Sequence, residues 1–214
     1  MKLEPRNSAG WTLIELLVLI AMLAIVFALI PTVPPKAKAR AQRISCTSNL
    51  KQVGLATRLY VNDLGGQFSW QVPMASNGTL ELATSPQVFR HFQALSNELV
   101  TPKVLVCPSD RQRIKTADFV RFSNTNLSYF VSLDARENAP QLILSGDRNI
   151  TGGTLSNGFL RLLTPLTEAG WTSDLHNNAG NLGLADGSVQ QVTAAGLRKQ
   201  LAVQTSAVIR LAIP

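Results

Sequence analysis

One run dominates the pattern of apolar and polar positions. From Trp11 to Ile30, eighteen of twenty residues are apolar, the exceptions being Thr12 and Glu15. As a helix this run spans ~30 Å, the thickness of a hydrocarbon core, and it has no polar face to turn toward water. The pattern predicts one membrane-spanning helix over residues 11–30. Three other readings compete with it: a buried core helix, a plain single-span anchor and a secretory signal peptide. The last has Lys2 and Arg6 as its basic start and Ala37-Lys38-Ala39 as a small-x-small site. Against the signal peptide, the run exceeds the usual ~7–15 residues, and Lys36 and Lys38 fall where a cleavage region is uncharged. Neither a signal peptide nor a plain anchor explains Glu15: a carboxylate costs ~2.5–3.5 kcal/mol at the centre of a span, and near the end it costs less yet still needs a partner.

Beyond the run, Pro31, Pro34 and Pro35 predict a kink or break, with Pro35 suited to open the next helix. Residues 36–62 are helical in pattern. Cys46, Leu50, Val53 and Tyr60 fall on one face and Lys36, Arg40, Arg43, Lys51 and Arg58 on the others, before Gly65-Gly66 ends the helix. Residues 67–84 read as loop. Ser85-Pro86 reads as the start of a short helix carrying Phe89, Phe92, Leu95 and Leu99. Strand-like runs follow at Lys103–Cys107, Asp118–Phe122, Leu127–Leu133, Gln141–Ser145 and Phe159–Leu163. Leu182–Val189 reads as a hairpin turning at Asp186-Gly187, ahead of a helix over Ala194–Val203 and an extended tail, Val208–Pro214.

Composition changes this picture in one respect. The chain of 214 residues is 45% hydrophobic, but with the first run set aside the remainder is about 40% apolar, an ordinary value for a water-exposed domain. Two cysteines exclude a disulfide-dense scaffold and a four-cysteine zinc site. The +7 net charge gathers at residues 36–58, which places it at a lipid or subunit interface. No compact basic stretch lies in 67–214, which argues against nucleic acid as a partner.

Gly10-Trp11-Thr12-Leu13-Ile14-Glu15-Leu16-Leu17, behind a short basic leader, resembles the prepilin cleavage signal of type IV pilins and type II secretion pseudopilins. The resemblance implies cutting by a prepilin peptidase/methyltransferase between Gly10 and Trp11 and methylation of the new amine, although Trp11 stands where the family has Phe. It also implies that Glu15 directs assembly by facing the cationic amine of a neighbouring subunit, which would compensate its charge. Pro102–Asp110, Leu127–Val131, Gly146–Asn149 and a His, nine residues, Asp-Gly pattern (His176, Asp186 and Gly187) resemble a pseudopilin-like subfamily.

The implied fold is α+β and pilin-like, with a long N-terminal helix packed by its second half on a mainly antiparallel sheet. Its divisions are a leader (1–10), a transmembrane and filament-core helix (11–30), an amphipathic helix entering the domain (31–66) and a periplasmic α+β domain (67–214). The implied function is a structural subunit, not an enzyme, of a type II secretion system or type IV pilus-like filament. Its partners would be other subunits, the inner-membrane assembly platform and membrane lipid. The implied location is the bacterial inner membrane, single-pass, with the N-terminus cytoplasmic and the C-terminal domain periplasmic. Charge counting alone would place the Lys36–Lys51 side in the cytoplasm; the expectation follows the family instead.

Candidate chemistry is sparse. In an exported domain Cys46 and Cys107 have two readings, a disulfide tying the amphipathic helix to the Val104–Val106 strand or two separate buried thiols. HExxH, GxSxG and paired helical carboxylates are all absent from the sequence. No cofactor is expected, unless Asp174, Asn177, Asn181 and Asp186 hold Ca²⁺ as loops of related pseudopilins do; their spacing matches no known loop. The contrasting functional class is a membrane-tethered periplasmic enzyme or ligand- or metal-binding protein using His176–Asp186.

Overall fold

The structure, a computed structural model, describes residues 10–28, 34–157, 159–163, 169–204, 206 and 208–214. The chain divides into two compact units, Met1–Lys38 and Ala39–Pro214.

In the first unit, helix α1 runs Leu13–Ala28, and none of its residues is buried. Thr12 caps it. The Thr12 hydroxyl accepts from the Glu15 backbone N–H at 3.3 Å, and the Glu15 carboxylate accepts from the Thr12 backbone N–H and hydroxyl, both at 2.8 Å. This reciprocal pairing is a capping box, which satisfies amide donors that the first turn leaves unpaired. The described part of α1, 16 residues, is ~24 Å long by helical rise. Among the described residues no helix is long and apolar enough to cross a membrane. Residues 29–33, which include the end of the expected span and Pro31, lie outside the described residues, as do leader residues 1–9.

Helix α2 runs Pro35–Asp63, opening at the proline. Its buried residues include Cys46, Leu50, Val53, Gly54, Thr57, Tyr60 and Val61, a stripe of period 3.6. Gly65 and Gly66, both at positive φ, close it, and the Gly66 N–H returns to the Val61 carbonyl at 2.9 Å.

Residues 67–126 depart most from the sequence reading. They form 3₁₀ turns at Ser69–Gln71, Met74–Ser76, Leu80–Leu82, Pro102–Leu105 and Asn124–Asn126, with two short helices, α3 (Phe89–Gln93) and α4 (Ser96–Leu99). Three expectations are corrected. The helix at 89 does not start at Ser85-Pro86, because the Ser85 hydroxyl closes a local turn on the Gln87 N–H. Lys103–Cys107 is not a strand: Pro102 and the Thr101 hydroxyl start a 3₁₀ turn there, and these helix-start signals override the β-branched residues. Asp118–Phe122 is not a strand either, since the Asp118 carboxylate takes the N–H groups of Val120 and Arg121 that a sheet partner would need.

The sheet has seven strands: β1 (Tyr129–Ser132), β2 (Ile143–Asp147), β4 (Thr154–Ser156), β5 (Leu160–Leu163), β7 (Ala179–Leu184), β8 (Val189–Thr193) and β9 (Ile209–Ala212). Their order is β4-β5-β9-β1-β2-β7-β8 and every pairing is antiparallel. A second, two-stranded sheet pairs β3 (Ile150–Thr151) with β6 (Gly170–Trp171). Helix α5 (Ala194–Ala202) is capped by the Thr193 hydroxyl.

Alternation along the strands makes two cores. Tyr129, Val131 and Leu144 pack with the buried stripe of α2, while Phe130, Ile143, Leu182 and Leu211 pack with Leu197 and Leu201 of α5. The second unit is therefore α+β, with a helix on each face of an antiparallel sheet.

Candidate functional site: a buried polar cluster beneath α2

Four segments singled out in the sequence meet under α2. Cys46 of α2 and Cys107 form a disulfide, closing a sequence separation of 61 residues. Its segment includes the Pro102–Leu105 3₁₀ turn that replaces the expected strand. Three residues on, the Asp110 carboxylate receives both ends of the Arg148 guanidinium, at 2.7 and 2.9 Å, tying the Pro102–Asp110 segment to Gly146–Asn149. The Leu127–Val131 segment lies between them. The Ser128 carbonyl accepts from the Arg148 N–H at 2.9 Å, and the Tyr129 hydroxyl donates to the Cys46 carbonyl at 3.4 Å.

The fourth segment begins at His176. Its Nε2 lies 3.5 Å from Cys107 Sγ and 3.4 Å from Asp147 Oδ2. Asp147 is fully buried at the end of β2, where Oδ2 accepts from the backbone N–H and the side-chain amide of Asn181, at 2.7 and 2.9 Å. Burial drives both partners toward their uncharged forms. It pushes the Asp147 carboxyl up to about 7, against the Asn181 hydrogen bonds and the Arg43 charge. It holds His176 down, to about 4, with the Arg43 charge acting in the same direction.

An imidazole beside a carboxylate is the arrangement of a base and its orienting partner. Here, however, the side chains are 2% and 0% exposed, and the sulfur beside them is committed to a disulfide. The chemistry this arrangement supports is cross-linking of α2 to the Pro102–Asp110 segment, which the Asp110–Arg148 pair in turn ties to the end of β2. In the chain-entropy description, closing a loop of this length stabilises by about 4 kcal/mol.

The Asp-Gly end of the fourth segment reaches α2 a second time. Gly187, at φ +84°, completes the β7–β8 turn, and the Arg58 guanidinium donates to the Asp186 carbonyl at 2.6 Å. His176 and Gly187 thus mark two points, at either end of β7, where the sheet grips one helix.

The residues weighed as Ca²⁺ ligands do not surround one point. The Asn181 amide, inside β7, is engaged by Asp147 and Thr47, while Asp186 lies beyond the strand in the β7–β8 turn, with its carboxylate accepting from the Ser188 N–H. Asp174 accepts from the Thr172 hydroxyl, and Asn177 stands exposed at φ +56°. In the first unit, Gly10 and Trp11 are exposed just before the Thr12–Glu15 box. Asp147 was legible only as part of the Gly146–Asn149 segment; its pairing with Asn181, 34 positions away, had no signal in the sequence.

No protein-family model, curated protein sequence or solved structure matches the chain.

Proposed function

We propose that the chain is a structural subunit, pseudopilin or pilin-like, of a type II secretion or type IV pilus-like filament. The observation that carries this reading is Glu15, one carboxylate in the first turn of an otherwise unbroken apolar helix whose side chains are all exposed. A solvated helix has no use for such a surface, whereas lipid, and later the apolar helices of neighbouring subunits, would cover it.

In this reading prepilin peptidase cuts between Gly10 and Trp11, and the freed amine of one subunit meets the Glu15 carboxylate of another. The capping box prepares that step by holding the carboxylate at the helix start, where the amide donors already favour negative charge. The second unit is displayed on the periplasmic side. Its disulfide and its two-point grip on α2 would keep the domain attached to its helix under load.

Complementation of filament assembly or secretion tests the reading. Glu15→Ala abolishes assembly and His176→Ala leaves it in place as long as the domain folds. The reverse pattern would assign the protein to ligand or substrate chemistry at His176.

A further inference from the structure

Beside the buried cluster, the first turns of α2 in the second unit, the Pro108–Arg111 segment and the Ser173–Asn177 segment enclose a cleft of about 680 Å³. Arg40, Arg43 and Arg111 line it, and Asp174 is the one carboxylate in its wall among the described residues. No ion pair among the described residues engages any of the three guanidinium groups. His176, which closes the inner end, is uncharged at neutral pH because burial holds its pKa down to about 4. Asp147 behind it is a partial counter-charge, its pKa being raised to about 7. The cleft is therefore a concentration of positive charge, three guanidinium groups against Asp174 and the partial charge of Asp147.

The geometry of the cations is also specific. Arg43 is half-buried; its Nη2 donates to the Gly180 carbonyl at 3.3 Å, and its buried Nε has no partner. Its head is thus held in place, whereas Arg40 and Arg111 are exposed and free to close on a ligand. Ser109 adds a hydroxyl to the lining.

We propose that this cleft binds a phosphate group, gripped by Arg40, Arg43 and Arg111. The planar guanidinium fork matches phosphate oxygens in pairs, and three forks around one cavity suit a group with several equivalent acceptor oxygens. Among the described residues no Phe, Tyr or Trp lines the cleft, so it lacks the broad aromatic platform on which strand-binding sites stack bases. The cleft therefore suits the phosphate of a lipid headgroup or free phosphate better than that of a nucleic acid strand.

The test uses the full chain in a zwitterionic detergent, titrated calorimetrically with inorganic phosphate, pyrophosphate and short-chain phosphatidylglycerol. Saturable binding that Arg40→Gln and Arg111→Gln each weaken at least tenfold, and that Lys199→Gln on the far helix α5 leaves unchanged, supports the site. Arg111→Lys, which keeps the charge and loses the fork, falls between. Response to the inorganic probes assigns free phosphate; response to the lipid alone assigns a headgroup. Thermal unfolding without ligand controls for folding, and both Arg→Gln variants melt with the parent because their side chains are exposed. Three results overturn the proposal: no saturable binding of any probe, equal weakening by Lys199→Gln, or a single-stranded oligonucleotide binding more tightly than all three.

Discussion

A Cβ placed on Gly54 of α2 would stand 3.3 Å from the Cα of Gly187 and 3.4 Å from its carbonyl oxygen. The β7–β8 turn therefore touches the helix backbone directly, and both glycines are required, one for proximity and one for its φ of +84°. Gly54→Val drives a branched side chain into the turn without the helix-propensity gain that alanine would bring, and should destabilise by about 2 kcal/mol. Gly187→Ala should cost about 1–2 kcal/mol from backbone strain, and Gly187→Asn less, because Asn tolerates positive φ. Urea unfolding of the three variants checks this order.

The disulfide is the larger contribution. Replacing Cys46 and Cys107 together by alanine should lower stability by about 4 kcal/mol, and reduction should slow the chain on a denaturing gel. Equal mobility with and without reductant would show two separate thiols.

The Arg148–Asp110 pair holds two motif segments together, with side chains 11% and 1% exposed. Asp110→Ala leaves a guanidinium with little access to water and should destabilise by about 3 kcal/mol. The exposed end of the sheet offers a comparison: Arg210 pairs there with Asp134 but is half-exposed, and Arg210→Ala should cost about 1 kcal/mol or less.

Stability should depend on pH through three buried groups. His91 donates or accepts at the Thr79 hydroxyl, 2.7 Å away, its Nε2 has no partner, and burial lowers its pKa to about 4. Between about 4 and 6.5 the unfolded chain binds the extra proton, so this stability is complete above 6.5 and is lost as pH falls toward 4, by about 3 kcal/mol. His176 acts in the same direction. Asp147 acts oppositely: with its folded pKa raised to about 7, the stability it confers is present below about 4 and is lost as pH rises through 7. Two histidines outweigh one carboxylate on the acid side, so stability should rise from pH 4 to about 6.5 and decline toward 8. His91→Gln should make the acid limb shallower, and Asp147→Asn should remove the decline. Urea midpoints across pH 4–8 measure both limbs.

Glu15 has two roles that substitution can separate. Glutamine at this position can still reach back to the Thr12 N–H, so Glu15→Gln keeps the capping box and removes the charge. Thr12→Val keeps the charge and breaks the box. If Glu15 meets the amine of a neighbouring subunit, Glu15→Gln should block assembly and Thr12→Val should merely weaken it. Assembly by Glu15→Gln at the parental level would leave the carboxylate a local helix cap.

Periodic elements were the legible part of the fold. The stripe Cys46, Leu50, Val53 and Tyr60 is buried as its spacing predicts, and the Asp186-Gly187 turn joins the two strands expected of it. Between α2 and β1 the loop over 67–84 and a helix carrying Phe92 were legible, but the rest was not, because core residues such as Phe68, Trp70 and Phe122 are held by turns with no period to read. β3, β4 and β6 escaped notice because two or three residues make no pattern. The motif residues could be picked out one segment at a time. Their convergence depends on contacts such as Asp110–Arg148 and Asp147–Asn181, which span 38 and 34 positions and leave no local trace.

The central claim, a filament subunit stored in the membrane behind a cleavable leader, is tested most directly by mass spectrometry of the N-terminus of the protein purified from its native membranes. The account predicts a chain that begins at Trp11. A chain beginning at Arg40, or one retaining residues 1–10, would contradict it.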